Sequence, residues 1–172
     1  MLAELAVPGG PTLLHSLRLP MSGVEADIDH VIVAGRNVWV LDSKLWKPAR
    51  YWTVFGVTRR GWRRVPFADK HTSEMAVEAL RSLFVRAGVR AVVHQPFLVV
   101  WPSSEKQPVR LGLYRPRGAK AIHGDALESR LGKLAAGGVA DQAIVALLYP
   151  LLTTARLAST QSPVRREVLD EF

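Results

Sequence analysis

The stretch EADIDHVIVAGRNVWVLDSKLW, residues 25–46, constrains this chain more than any other. Two runs of alternating apolar residues flank a short glycine-containing turn, the pattern of an antiparallel hairpin. Side chains alternate faces along a strand. Asp27, Asp29, Val31 and Val33 are therefore expected on one face of the first strand, with Ile28, His30 and Ile32 on the other. In the second strand Val38, Val40, Asp42, Lys44 and Trp46 share a face. Either a two-residue loop Gly35-Arg36, with glycine first as in a type II′ turn, or a four-residue loop from Ala34 to Asn37 pairs Val33 with Val38 and Val31 with Val40. Both loops set Asp29 opposite Asp42 and Asp27 opposite Lys44, whereas a three-residue loop puts the two aspartates on opposite faces.

Two carboxylates facing each other beside four valines are destabilising without a counter-charge. The plainest explanation is an exposed hairpin end, with Asp27 and Lys44 forming a weak cross-strand ion pair. The functional explanation is a divalent metal. Paired carboxylates with carbonyl and water oxygens suit Mg²⁺ or Mn²⁺. A lysine on the same face can orient or deprotonate a water and stabilise charge on a phosphate. Two acids and a lysine around a metal carry out phosphodiester hydrolysis. Paired carboxylates also serve glycoside hydrolysis, but nothing in the sequence supplies a sugar platform and the lysine favours phosphate.

The flanking sequence supplies the rest of a sheet and its helices. TLLHSLRLP, residues 12–20, reads as a strand ending at proline. RYWTVFGVTRRGWRRVPF reads as a hairpin turning near Arg60 and Gly61. Thr72 or Ser73 is placed to cap a helix whose apolar positions Val77, Leu80, Leu83 and Phe84 follow helical spacing, with Gly88 at its C-terminal end. AVVHQPFLVVWP is apolar enough for a buried central strand, with a bulge or a later start at Pro96. VRLGLY is a further short strand, and Asp125 is placed to cap a helix through ALESRLGKL. A last helix covers ADQAIVALLYPLLTTARL with a kink at Pro150, and residues after Ser159 are expected to fray. The order predicts an α/β (α+β) fold, a mixed central sheet with helices packed on it.

Composition narrows the function classes. The 172 residues suffice for one domain with its own core, and the chain holds no cysteine, which removes disulfides and thiolate zinc sites. No secretory signal or clean membrane span is present, so a soluble cytoplasmic protein is expected. The 23 Lys and Arg exceed the 15 Asp and Glu, giving a net charge of +8 that favours polyanions. Arg59, Arg60, Trp62, Arg63 and Arg64 interleave an indole with four guanidinium groups, a mixture suited to phosphates and bases. Arg115, Arg117 and Lys120 form a second basic group. As a solubilising hairpin tip the first cluster is explained equally well. His15, His71, His94 and His123 show no metal-ligand spacing.

With these residues in view, GVEADIDHVIVAGRNVWVLDSKLW resembles the signature of the nuclease-related domain (NERD) family, within the restriction-endonuclease-like PD-(D/E)XK superfamily. EADIDH and LDSKLW match that pattern in content and spacing, and the strands on either side are placed alike. The resemblance covers residues 3–135 and implies a nuclease-related domain over 1–135, followed by a helical segment, 136–172, packing on it. It implies a restriction-endonuclease-like sheet, a Mg²⁺- or Mn²⁺-dependent deoxyribonuclease activity, and DNA as partner with RNA left open. No membrane is implied, and a homo-oligomer is compatible. By resemblance Asp29 and Asp42 are metal-binding acids, the Ser43 carbonyl assists and Lys44 is the catalytic lysine; Asp27 and His30 are adjacent, His30 as a structural residue that orients its strand.

Two departures from the family pattern stand out. Only the stub LAEL precedes the first strand, so the N-terminal helix with its glutamate is expected to be missing or shortened, and Glu4 does not match it. VPFADKHTSE carries Asp69 and Lys70 where the family often has a glutamine. The competing expectations are a catalytically incomplete nucleic-acid-binding module and a protein-interaction module with the same fold.

Overall fold

The computed structural model describes residues 9–21, 24–69 and 72–153; the expected N-terminal stub and the tail beyond residue 153 lie outside them. A mixed sheet of six strands forms the centre. Strands β1 (Thr12–Met21), β2 (Val24–Ala34) and β3 (Asn37–Trp46) make an antiparallel meander. The chain then departs into a second sheet and helix α1 (Thr72–Arg86). It returns as β7 (Val92–Val93) and β8 (Phe97–Pro102), both parallel to β3. Strand β10 (Lys120–His123) closes the far edge parallel to β8. The second sheet has the order β6-β5-β4-β9, from β4 (Arg50–Val54), β5 (Val57–Arg60), β6 (Arg63–Arg64) and β9 (Arg110–Leu113).

The apolar pattern accounts for the layers. On one face, Val31, Val33, Val38 and Val40 pack against Val77, Leu80 and Phe84 of α1 and against Ile144 and Leu148 of helix α3 (Gln142–Leu148). The other face buries Ile32, Leu41, Phe97, Val99 and Ile122 under Leu127 and Leu131 of helix α2 (Leu127–Ala135). A third cluster of Trp46, Tyr51, Leu98, Val100, Leu111 and Tyr114 joins the two sheets. Leu80 and Ile144 are wholly buried, each worth about 1.5–3 kcal/mol relative to exposure.

Several local expectations need correction. The ribbon after β3 turns twice, at Phe55-Gly56 as well as at Gly61-Trp62. The long strand of the apolar run does start late, at Phe97 after Pro96, but β7 precedes it as a separate short strand, and β10 has no expected counterpart. Asp125 lies inside a single 3-10 turn (Gly124–Ala126), so Ala126 rather than Asp125 precedes α2. Asp141 is the cap that works, accepting the Ala143 N–H at 2.9 Å. At Pro150 the helix passes into a 3-10 turn (Tyr149–Leu151).

The loop between β2 and β3 has two residues, since Ala34 pairs with Asn37. Gly35 has φ +55, and a β-carbon there would lie 2.7 Å from the Gly137 carbonyl oxygen. The turn also donates and accepts backbone hydrogen bonds, Gly35 N–H to Val139 and Asp141 N–H to Gly35. These bonds tie the segment before α3 onto the hairpin. Gly35→Ala should therefore cost about 1–3 kcal/mol, from left-handed strain plus the collision. Urea unfolding would check this; an unchanged midpoint would show that the turn adjusts freely.

Candidate metal and phosphate site

Strict alternation predicts Ile28 and Val31 on opposite faces of β2, yet both lie in the cluster beneath α1. The face switches between them. Opposite, Leu14 and Leu17 of β1 make the same three-residue step. Ser16, between them, has φ +55, a left-handed conformation uncommon outside glycine. Regular pairing holds at His15↔His30 and Leu17↔Ile28, with Ser16 and Asp29 left between.

Asp29 is thus released from the alternation at the point where β2 and β3 part. Their ladder runs from Ala34↔Asn37 to His30↔Leu41 and stops one residue short of the expected Asp29–Asp42 pair. In its place the Ser43 N–H donates to Asp29 Oδ2 at 2.7 Å. A carboxylate oxygen thereby takes the role of a backbone acceptor in the ladder. On its other side β3 stays zipped to β8, with Asp42 beside Leu98 and Lys44 beside Val100.

Asp42 and Lys44 do share a face, as expected, and are directly bonded: Lys44 Nζ donates to Asp42 Oδ1. The buried Ser73 hydroxyl, in the first turn of α1, donates to Asp42 Oδ2 at 2.9 Å. Burial pushes the Asp42 carboxyl above its ordinary value; bonds from Lys44 and Ser73 pull it down, and the Asp29 charge pushes it up again. The Asp42 side chain is 15 % exposed against 43 % for Lys44, so the pair opens to solvent through the lysine.

The expected Asp27–Lys44 ion pair does not form. Asp27 bonds Arg18 across the β1–β2 ribbon at 3.2 Å, with Asp27 largely in solvent and Arg18 partly buried. His30 meets His15 instead of a site residue, Nδ1 to Nδ1 at 2.7 Å. Burial lowers the His30 pKa, the His15 charge acts in the same direction, and Asp29 opposes them. Among the described residues no group of three or more His, Asp and Glu is arranged to hold a metal. Asp29 and Asp42 supply carboxylate oxygens, the donor type that hard divalent cations take, usually with water completing the shell.

The basic residues fall into separate places. Arg59 pairs with Arg64 and Arg60 with Arg63 in the second sheet, so alternation divides the four between its faces. Arg115 and Arg117 line a cleft of about 410 Å³ with Thr53, Gly56 and Thr58. Lys120 opens β10 in the central sheet. Two residues were missed by sequence reasoning. Ser73 carried a signal only as a helix start, not as a partner for Asp42. Trp52, which meets Trp62 edge to face at 6.2 Å, could have been found from the alternation of RYWTV.

A mixed sheet flanked by helices is an α+β fold consistent with a nuclease-like domain. The sequence model of the nuclease-related domain (NERD) family matches residues 1–100, more than half of the chain, and the protein belongs to that family. No curated protein and no solved structure matches it. The family points to nucleic acid as partner and to use of a divalent metal. Among the described residues no helix is long and apolar enough to cross a membrane.

Asp42 has a consequence for stability. A carboxyl raised in the folded state binds its proton more tightly there than in the unfolded chain. Its contribution is therefore most favourable at low pH and declines as pH rises through the raised value. Asp42→Asn, which mimics the protonated form, should be at least as stable as wild type at pH 7.5, with any advantage shrinking towards pH 4. Denaturant titration at both pH values would check this, and a clear loss at pH 7.5 would mean that the Lys44 bond outweighs burial.

Proposed function

We propose that this protein is a metal-dependent nuclease that hydrolyses phosphodiester bonds in DNA, acting in the cytoplasm. The observation that supports this best is the convergence at β3. Asp29 interrupts a sheet ladder, and Asp42, whose pKa burial raises, accepts hydrogen bonds from Lys44 and Ser73. A perturbed carboxylate beside a lysine marks a candidate functional site.

Asp29, Asp42 and the Ser43 carbonyl would hold Mg²⁺ or Mn²⁺. When bound, such an ion polarises a phosphoryl oxygen and acidifies water. The protein's own groups supply the rest. Lys44, half in solvent, reaches out to charge developing on the phosphate and can orient the attacking water. Ser73 and the Ser43 N–H hold the two carboxylates in place, so little reorganisation is needed at the moment of reaction.

A second reading has its own observation. Both Asp42 oxygens are already engaged, by Lys44 and Ser73, which suits a closed, catalytically incomplete nucleic-acid-binding module. Plasmid and single-strand cleavage in Mg²⁺, in Mn²⁺ and in EDTA separates the two. On the nuclease reading, cutting requires metal, and Lys44→Ala and Asp29→Asn each lower it by about 10²-fold or more without loss of fold. Metal-dependent cutting that survives Lys44→Ala would remove the assignment. DNA binding without cutting under any metal would leave the binding module.

A further inference from the structure

The second sheet has one face against the core and one in solvent. Tyr51 is fully buried in the cluster that joins the sheets, and Arg60 and then Arg63, exposed on the edge strand, follow it in register on that side. The next row reads Leu113, Trp52, Arg59 and Arg64 across all four strands, and it faces outward. Leu113 is 59 % exposed.

Two aromatic rings project further. Trp62, at the β5–β6 turn, is 87 % exposed. Its turn is held rigid: Trp52 Nε1 donates to the Gly61 carbonyl at 2.7 Å and Arg59 donates to the Trp62 carbonyl at 2.9 Å. Phe55, at the β4–β5 turn, is completely exposed and has φ +48. Left-handed backbone disfavours a bulky residue, and the following Gly56 does not remove that cost. The sheet thus holds a phenyl ring in water on a strained turn. Arg115, whose N–H bonds Thr53 Oγ1 at 3.1 Å, stands just behind this tip.

We propose that this outer face is a platform for unpaired nucleotides, with Trp62 and Phe55 stacking on bases and Arg59 and Arg64 holding the phosphates between them. The proposal rests on the nucleic-acid reading above and sharpens it to substrates with single-stranded stretches. Rigid aromatic planes set among guanidinium groups fit a strand that alternates bases and phosphates. In a duplex the base faces are covered by their neighbours, so rings projecting from a sheet find faces to stack on only where bases are unstacked. The net charge of +8 supports a polyanionic occupant over an apolar protein surface.

The test is fluorescence anisotropy of the full chain in EDTA, with labelled single-stranded, duplex and tailed-duplex oligonucleotides of matched length. Trp62→Ala and Phe55→Ala should each weaken binding of the single strand and the tail roughly tenfold, by loss of one stacked base, with little change on duplex. Arg64→Ala should weaken binding and flatten its salt dependence, while Arg63→Ala on the inner side should do so less. Phe55→Tyr should restore binding that Phe55→Ala loses. Unchanged melting temperatures would show that the variants fold. The platform is overturned if single-strand affinity survives both aromatic substitutions, or if wild type binds duplex but not single strand; the wider nucleic-acid reading survives either result. Binding to neither form removes both. Loss of binding to anionic vesicles in Trp62→Ala, with no effect on oligonucleotides, also overturns the platform and assigns the face to lipid.

Discussion

The hydrogen bond from the Ser43 N–H to Asp29 is the contact on which the candidate site depends. It ends the β2–β3 ladder one residue early and stands in for the backbone bond that would have come next. The strands separate there without leaving a donor unsatisfied, which would cost about 1–3 kcal/mol if buried. The gap gives Asp29 a place between two strands instead of on one face of one strand. Regular pairing resumes on both outer sides, at β1 and at β8, so the irregularity is local and framed by rigid structure.

Around that gap the molecule divides its labour by face. The valines of β2 and β3 lie under α1 and α3, and the same face of β3 continues through Asp42 and Lys44 to Trp46. The polar pair therefore occupies the seam between two apolar clusters. Burial on both sides is what raises the Asp42 pKa, and Ser73 and Lys44 offset it. The seam is also where α1 begins, so a helix chosen for its apolar stripe delivers a hydroxyl to the carboxylate at no extra structural cost.

Much of this was legible in the sequence. Alternation along β3 placed Asp42 and Lys44 on one face, and the two-residue loop at Gly35 is one of the two loops that give the observed hairpin register. What failed was the assumption that alternation persists. A left-handed Ser16 and a carboxylate in a backbone role both break the period of two, and neither is encoded in apolar spacing. The same assumption worked in the second sheet, where it separates Arg59 and Arg64 from Arg60 and Arg63. KAIH, residues 120–123, is too short and too polar to carry a strand pattern of its own; parallel pairing to β8, a tertiary event, makes it a strand. Ser73 could be recognised only once α1 was placed against β3.

The mixed sheet also imposes an order on assembly. Asp29 and Ser43 are 14 residues apart along the chain, within a meander of tight turns. Asp42 meets Leu98 only after β4, β5, β6 and α1 have passed between them in the chain. Quadrupling the loop raises its closure cost by about 1.2 kcal/mol. Contacts of short span form before contacts of long span reward the chain. The notch around Asp29 belongs to the early, local part of the fold, whereas the apolar wall beside Asp42 arrives with the return of β8. A chain caught halfway would carry one acid in its final setting and the other still open to water.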